Sequence, residues 1–224
     1  MPTAGIQVWN QNDFLQIDQN YKNYLMYETR AISCNTQVSN ACYADVDLPY
    51  GVDAFIGYVD SDFACHSVLS VSGSTVRYRF FKIGGPGTIN IVVFRVSPPS
   101  GSTYGMQVFN AAGELVFDAL MPYMRIVDFI QGENVAGVNF DYGRRVAVVQ
   151  ARRQWRAREG PIGSSPPFQW LYTYDSTFAS ASGGVVRTTY ANIQVIGPNP
   201  DPQYNMFEGG SDYGAYLVLD FTSQ

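Results

Sequence analysis

The chain has 224 residues and a formal net charge of −5, with only 15% charged residues and as many aromatics. This balance excludes a protein whose whole surface grips nucleic acid, and no apolar run is long enough to cross a bilayer as a helix. Abundant Tyr, Phe, Gly and Pro favour strands and turns over helices.

The N-terminus, MPTAGIQVWNQNDF, lacks the basic start and apolar core of a secretory signal, so assembly in the cytoplasm is expected. Residues 5–18 read as a β-hairpin. Residues 20–32 carry aromatic and apolar residues suited to a strand, and 33–44 are small and polar and read as a loop. A turn at Pro49-Tyr50-Gly51 precedes a short apolar strand at 54–59, and 63–72 are ambiguous. Residues 75–83 alternate, with Val76, Tyr78 and Phe80 on one side and Arg77, Arg79 and Phe81 on the other. After the Gly84-Gly85-Pro86-Gly87 turn, 88–96 are apolar enough for a strand buried on both faces. Residues 97–103, SPPSGST, read as a linker.

Beyond it, 105–118 (GMQVFNAAGELVFD) read as a second hairpin. Asn110 can bond its own backbone at the turn, and Gly113 can supply the positive φ. Strands are then expected at 125–128, on both sides of Gly143 within 138–151, at 168–174, at 184–196 and at 216–221. Residues 159–167 and 197–210 read as loops.

The two hairpins align without a gap at an offset of 100. Gly5, Gln7, Val8, Asn10, Leu15 and Asp18 match Gly105, Gln107, Val108, Asn110, Leu115 and Asp118. Six identities in fourteen positions compare with roughly one expected by chance. This points to internal duplication. The expected fold is all-β, with two tandem antiparallel β-sandwich domains: 1–96, then the 97–103 linker, then 104–224 with longer loops.

The second copy, from Tyr104, reads YGMQVFNAAGELVFDALMPYMRIVD. It resembles the opening of small virion proteins from the tail tip and baseplate region of tailed double-stranded DNA bacteriophages. The resemblance rests on Gly105, Gln107, Val108, Asn110, Gly113, Leu115, Phe117, Asp118, Arg125, Val127 and Asp128. The first copy departs from it, with Asp13 at the turn glycine and Ile17 in place of Phe117. The resemblance implies a non-enzymatic structural component of the virion tail that packs against the hub or central fibre. A homo-oligomer with ring or trimer symmetry suits such an assembly. Two alternatives stand beside this reading: a receptor- or glycan-binding module at the tail tip, and a polysaccharide hydrolase.

An enzyme needs its reactive groups. One histidine, His66, leaves little room for a triad, and no nucleophile elbow, P-loop or dinucleotide fingerprint is present. No cofactor is expected. Cys34, Cys42 and Cys65 cannot all pair; free buried thiols, a Cys34–Cys42 bridge and a zinc site with His66 are the alternatives. Asp45, Asp47, Asp53, Asp60 and Asp62 are either calcium ligands or solvated loop residues. The most uneven charge feature is Arg144, Arg145, Arg152, Arg153, Arg156 and Arg158, with Trp155 among them. It reads as a solvated face, a protein interface or a nucleic-acid contact, and the acidic remainder opposes the last. Trp170, Tyr172 and Tyr174 alternate on one strand face, either as core or as a platform for a host-surface glycan.

Overall fold

The structure, a computed structural model, describes residues 7–9, 15–18, 24–51, 53–96, 103–133, 135–162, 169–199 and 209–222. Most of the proposed linker, residues 97–102, lies outside them. The described residues contain strands and no helix. The first half carries β1 (Gln7–Trp9), β2 (Leu15–Asp18), β3 (Tyr24–Cys34), β4 (Thr36–Val38), β5 (Ala41–Leu48), β6 (Phe55–Val59), β7 (Ser61–Ser72), β8 (Thr75–Ile83) and β9 (Gly87–Val96). The second carries β10 (Gln107–Phe109), β11 (Leu115–Asp118), β12 (Ile126–Gly132), β13 (Asn139–Asp141), β14 (Val146–Arg152), β15 (Trp155–Ile162), β16 (Gln169–Ser182), β17 (Val185–Asn199), β18 (Gly209–Ser211) and β19 (Gly214–Asp220).

Two antiparallel sheets pack face to face. One has six strands in the order β12-β19-β14-β6-β9-β3, and the other has nine. The path of the second runs β13-β17-β16-β7-β8-β5-β4, with β15 and β18 attached beside β16. Both sheets run through both halves of the chain. In the first sheet β6 pairs with β14, and in the second β7 pairs with β16. The halves are therefore joined edge to edge and share one core, rather than each closing a sandwich of its own.

The six-stranded order is palindromic by position in the half-chain. From either end, the six-stranded sheet places the strand that follows a hairpin, then the last strand of that half, then an inner strand. The hairpins β1–β2 and β10–β11 share one register. Gln7 pairs with Asp18 as Gln107 pairs with Asp118, and each hairpin has a bulge one residue after its Val.

Period-two alternation sorts the core into layers. Ile89, Ile91 and Val93 of β9 and Val146 and Val148 of β14 lie between the sheets, with Tyr58, Phe80 and Tyr216. Val92, Phe94, Ala147 and Val149 point the other way and pack with Leu219 and Phe221. That far face is covered where the chain leading into β12 meets the start of β3. Met26 N donates to Pro122 O and Met124 N to Tyr24 O, and Tyr24, Met26 and Met124 pack on the cluster.

The segment 33–44, expected as a loop, is β-structure from Ser33 to Val38 and from Ala41 onward, with a turn at Ser39-Asn40. Its small residues are core residues: Cys34, Ala41 and Cys42 have no exposed surface. Close layer packing requires small side chains there, so low hydrophobicity misled the sequence reading. Strands also extend into expected loops. β15 reaches Ile162 and β17 reaches Asn199.

Candidate functional site

The arginine cluster is compact in sequence and dispersed in space. Arg144 meets Asp220 at 3.4 Å, and Arg145 grips Asp60 at 2.5 and 2.9 Å while lying over Phe221. Arg152 lies over Tyr213. Arg153 sits between Trp155 and Tyr174, 5.8 and 5.5 Å from their ring centres, with a buried Nη1 that has no hydrogen-bond partner. Arg156 pairs with Asp212 at 2.8 Å and Arg158 with Asp175 at 3.4 Å. Asp175 is 5% exposed and also accepts from Asn192 Nδ2. These cations mainly tie the chain's own strands together. Arg144, Arg145, Arg156 and Arg158 are ion-paired and still about half exposed.

Four of the five aspartates are likewise engaged by cations from other parts of the chain, and Asp53 lies exposed in a turn. Asp45 lies opposite Arg79 and Asp47 opposite Arg77 in the β5–β8 register. The Arg79 fork grips Asp45 at 2.7 and 2.8 Å and holds its carboxyl below the usual range. Asp62 meets Lys82 and Asp60 meets Arg145. Among the described residues no group of three His, Cys, Asp or Glu could hold a metal. The three cysteines are free and buried.

His66 belongs to a polar knot between the sheets. Its Nδ1 lies 2.6 Å from the Tyr58 hydroxyl, and its main chain exchanges two hydrogen bonds with the Gln150 amide. The rings of Tyr58, Tyr78 and Phe80 surround it. Burial, with Arg153 adding to it, pushes its pKa down to about 3. Burial pushes the neighbouring Cys65 thiol up to about 11. Near neutral pH both groups are therefore uncharged.

The hairpin motif is explained by its bonds. Asn110 Oδ1 accepts from the amides of Ala112 and Glu114 and so builds the turn, with Gly113 at φ 78°. Asp118 has no exposed surface and accepts from Gln107 Nε2 across the strands and from the Leu120 amide. Phe117 stacks on Tyr123 at 4.9 Å, and the Tyr123 hydroxyl accepts from the Asp118 amide. Tyr123 in turn bridges to Leu25 of β3. No family model, curated protein or solved structure matches this chain. The functional argument therefore rests on its own geometry. Asp118→Ala orphans two donors and is expected to loosen the hairpin by about 1–3 kcal/mol. Faster amide exchange confined to 107–118 is the readout.

The hairpin and the strand after it carry an unusual surface. Fifteen large apolar side chains are exposed among the described residues. Eight of them fall between 104 and 140: Tyr104, Met106, Phe109, Leu120, Ile126, Val127, Phe129 and Phe140. Ile126, Val127 and Phe129 lie on β12, the end strand of the six-stranded sheet. An apolar end strand is a template for a partner. Composition hid this surface, because β12 reads as an ordinary strand until its place at the edge is known.

The aromatic stretch falls in a ribbon of paired strands, β15, β16 and β17, where a bulge at Tyr174/Asp175 shifts the β16–β17 register. Its β17 strand folds back over the outer face of β5, β7 and β8 in the same nine-stranded sheet. Ile193 packs there with Ala41, Cys65 and Phe81, and the Val195 amide donates to Ser39 Oγ at 2.9 Å. A cavity of about 280 Å³ opens between them, and Tyr172 and Tyr174 line it. The Trp170 side chain lies outside the described residues. Tyr43, Arg79, Phe81 and Gln194, which sequence reading did not place with these tyrosines, complete the walls.

Proposed function

We propose that this chain is a non-enzymatic structural subunit of a bacteriophage tail, at the tip or baseplate, working through contacts with the hub or central fibre and with copies of itself. The observation that carries the reading is the band of exposed apolar side chains along the second hairpin and β12. Such a band on an end strand suits burial against another chain. The resemblance of the same segment to tail-tip and baseplate-region proteins agrees with it.

Internal duplication is part of this reading. It is supported by the shared hairpin register and the palindromic order of the six-stranded sheet. A second alignment adds to them, VLSVSGSTVRYRF (68–80) against FASASGGVVRTTY (178–190), with five identities at an offset of 110. Each segment spans a tight hairpin turn, at Gly73-Ser74 and at Gly183-Gly184. Two fused copies of one β unit make a rigid spacer with equivalent edges.

The test is a double variant, Ile126→Asp with Phe129→Asp. Both side chains are exposed, at 53% and 45%, so folding should survive with a change within about 1 kcal/mol. Incorporation into tail particles, read by quantitative mass spectrometry of purified virions, is expected to fall at least about tenfold, a loss of about 1.4 kcal/mol in contact energy. Undiminished incorporation would overturn the assignment of this surface.

A further inference from the structure

We propose that the cleft between the β16–β17 ribbon and the outer face of the nine-stranded sheet binds an uncharged saccharide. This goes beyond the assembly role and stands independently of it. The cleft has a built floor and a built roof. Tyr43, Phe81 and Arg79 belong to β5 and β8, while Tyr172, Tyr174 and Gln194 belong to β16 and β17. Its volume of about 280 Å³ suits a small sugar.

The chemistry selects the class. A pyranose ring has apolar C–H faces and a rim of hydroxyls. Aromatic walls serve the faces, and fixed polar groups serve the rim. Tyr43, Phe81, Tyr172 and Tyr174 supply the aromatic surface, with Leu69 exposed beside them. Ser67, Gln194 and Arg79 supply polar groups of both kinds, donors and acceptors.

Charge decides against anionic ligands. Arg79 is the only cationic wall residue, and its Nε and Nη2 are committed to Asp45 at 2.7 and 2.8 Å. The pair carries no net charge. A phosphate or sugar acid would meet the Asp45 carboxylate beside the only available cation. A neutral hydroxyl can use the remaining guanidinium donors without competing for that pair. The guanidinium is also held 4.2 Å from the centre of the Tyr43 ring, as well as by Asp45, so its donors are preorganised. The Ser39–Val195 bonds fix the far end of the ribbon and with it the width of the cleft.

Ligand-observed NMR on the full chain tests this with glucose, galactose, N-acetylglucosamine and maltose as probes, and AMP as a flat, charged control. At least one sugar is expected to receive saturation from the protein. Tyr172→Ala and Gln194→Ala are each expected to weaken that binding about tenfold, because each removes one wall group. Both variants should keep the thermal midpoint within a few degrees, and Gln194→Ala retains every ring if Tyr172→Ala fails to fold. Ile126→Asp with Phe129→Asp should leave sugar binding unchanged. Absence of transfer to all four sugars, binding that survives Gln194→Ala, or AMP binding more tightly than every sugar would each overturn the proposal.

Discussion

Replacing Gly57 with leucine is expected to lower the unfolding free energy by about 3 kcal/mol or more. Gly57 lies in β6, opposite Val149 of β14 on one side and Val92 of β9 on the other. Each neighbour is fully buried. A Cβ at position 57 would stand 3.0 Å from Val149 Cγ2 and 3.1 Å from Val92 Cγ1. Alanine forces shifts of a few tenths of an ångström. Leucine adds three more carbons in a layer closed by Phe94 and Leu219. The strand cannot retreat, because it is paired on both edges. Since β6 is where the halves join, the strain is delivered to the join. The urea midpoint should fall in the order wild type, Gly57→Ala, Gly57→Leu, with one cooperative transition. An unchanged midpoint for the leucine variant would mean that the two halves do not meet at β6 and β14.

Acid should destabilise the fold well above the pH at which carboxylates titrate. His66 has a pKa of about 3 in the fold, against an ordinary 6.5. A depressed folded pKa means that the unfolded chain binds the proton more readily. The stability contribution is therefore complete above pH 6.5 and is lost as pH falls from 6.5 towards 3. His66 is only half-buried, so part of this is screened and the loss amounts to roughly 1–3 kcal/mol. Protonation would also place a charge in a surround of uncharged rings. Burial holds the Tyr58 hydroxyl well above its usual pKa, so it stays neutral and brings no negative charge to offset an imidazolium 2.6 Å away at His66 Nδ1. Asp45 and Asp220, both held below the ordinary carboxylate value, add their losses only below about pH 4. Thermal melts at half-unit steps should show a decline starting near pH 6.5. His66→Phe should be less stable at pH 8, because Tyr58 loses its hydrogen-bond partner, but flatter between pH 6.5 and 4. Equal slopes for the two proteins would contradict the assignment.

How much of this was legible in the sequence depended on whether the signal was local. The hairpin was legible because Asn110, Gly113, Gln107 and Asp118 bond within a dozen residues of one another. The β9 strand was legible because both of its faces are buried. The arginine cluster was misleading. Arg152 ends β14 in one sheet and Arg156 lies on β15 in the other, so the chain changes layer in the middle of the run. The aspartates were likewise spread by strand pairing that begins thirty residues away, on β8. Joining of the halves was not legible, because which edge strands meet is decided by shape across the whole core. The ribbon's path over the second sheet depended on a bulge at Tyr174/Asp175 that no residue type announces.

Burial of the second hairpin and β12 against neighbours is what the proposed structural role requires. Hydrogen–deuterium exchange on the free chain and on the same chain within intact tail particles tests it most directly. Strong protection of peptides covering 104–129 on assembly is the expected result. Identical exchange of those peptides in both states would contradict it.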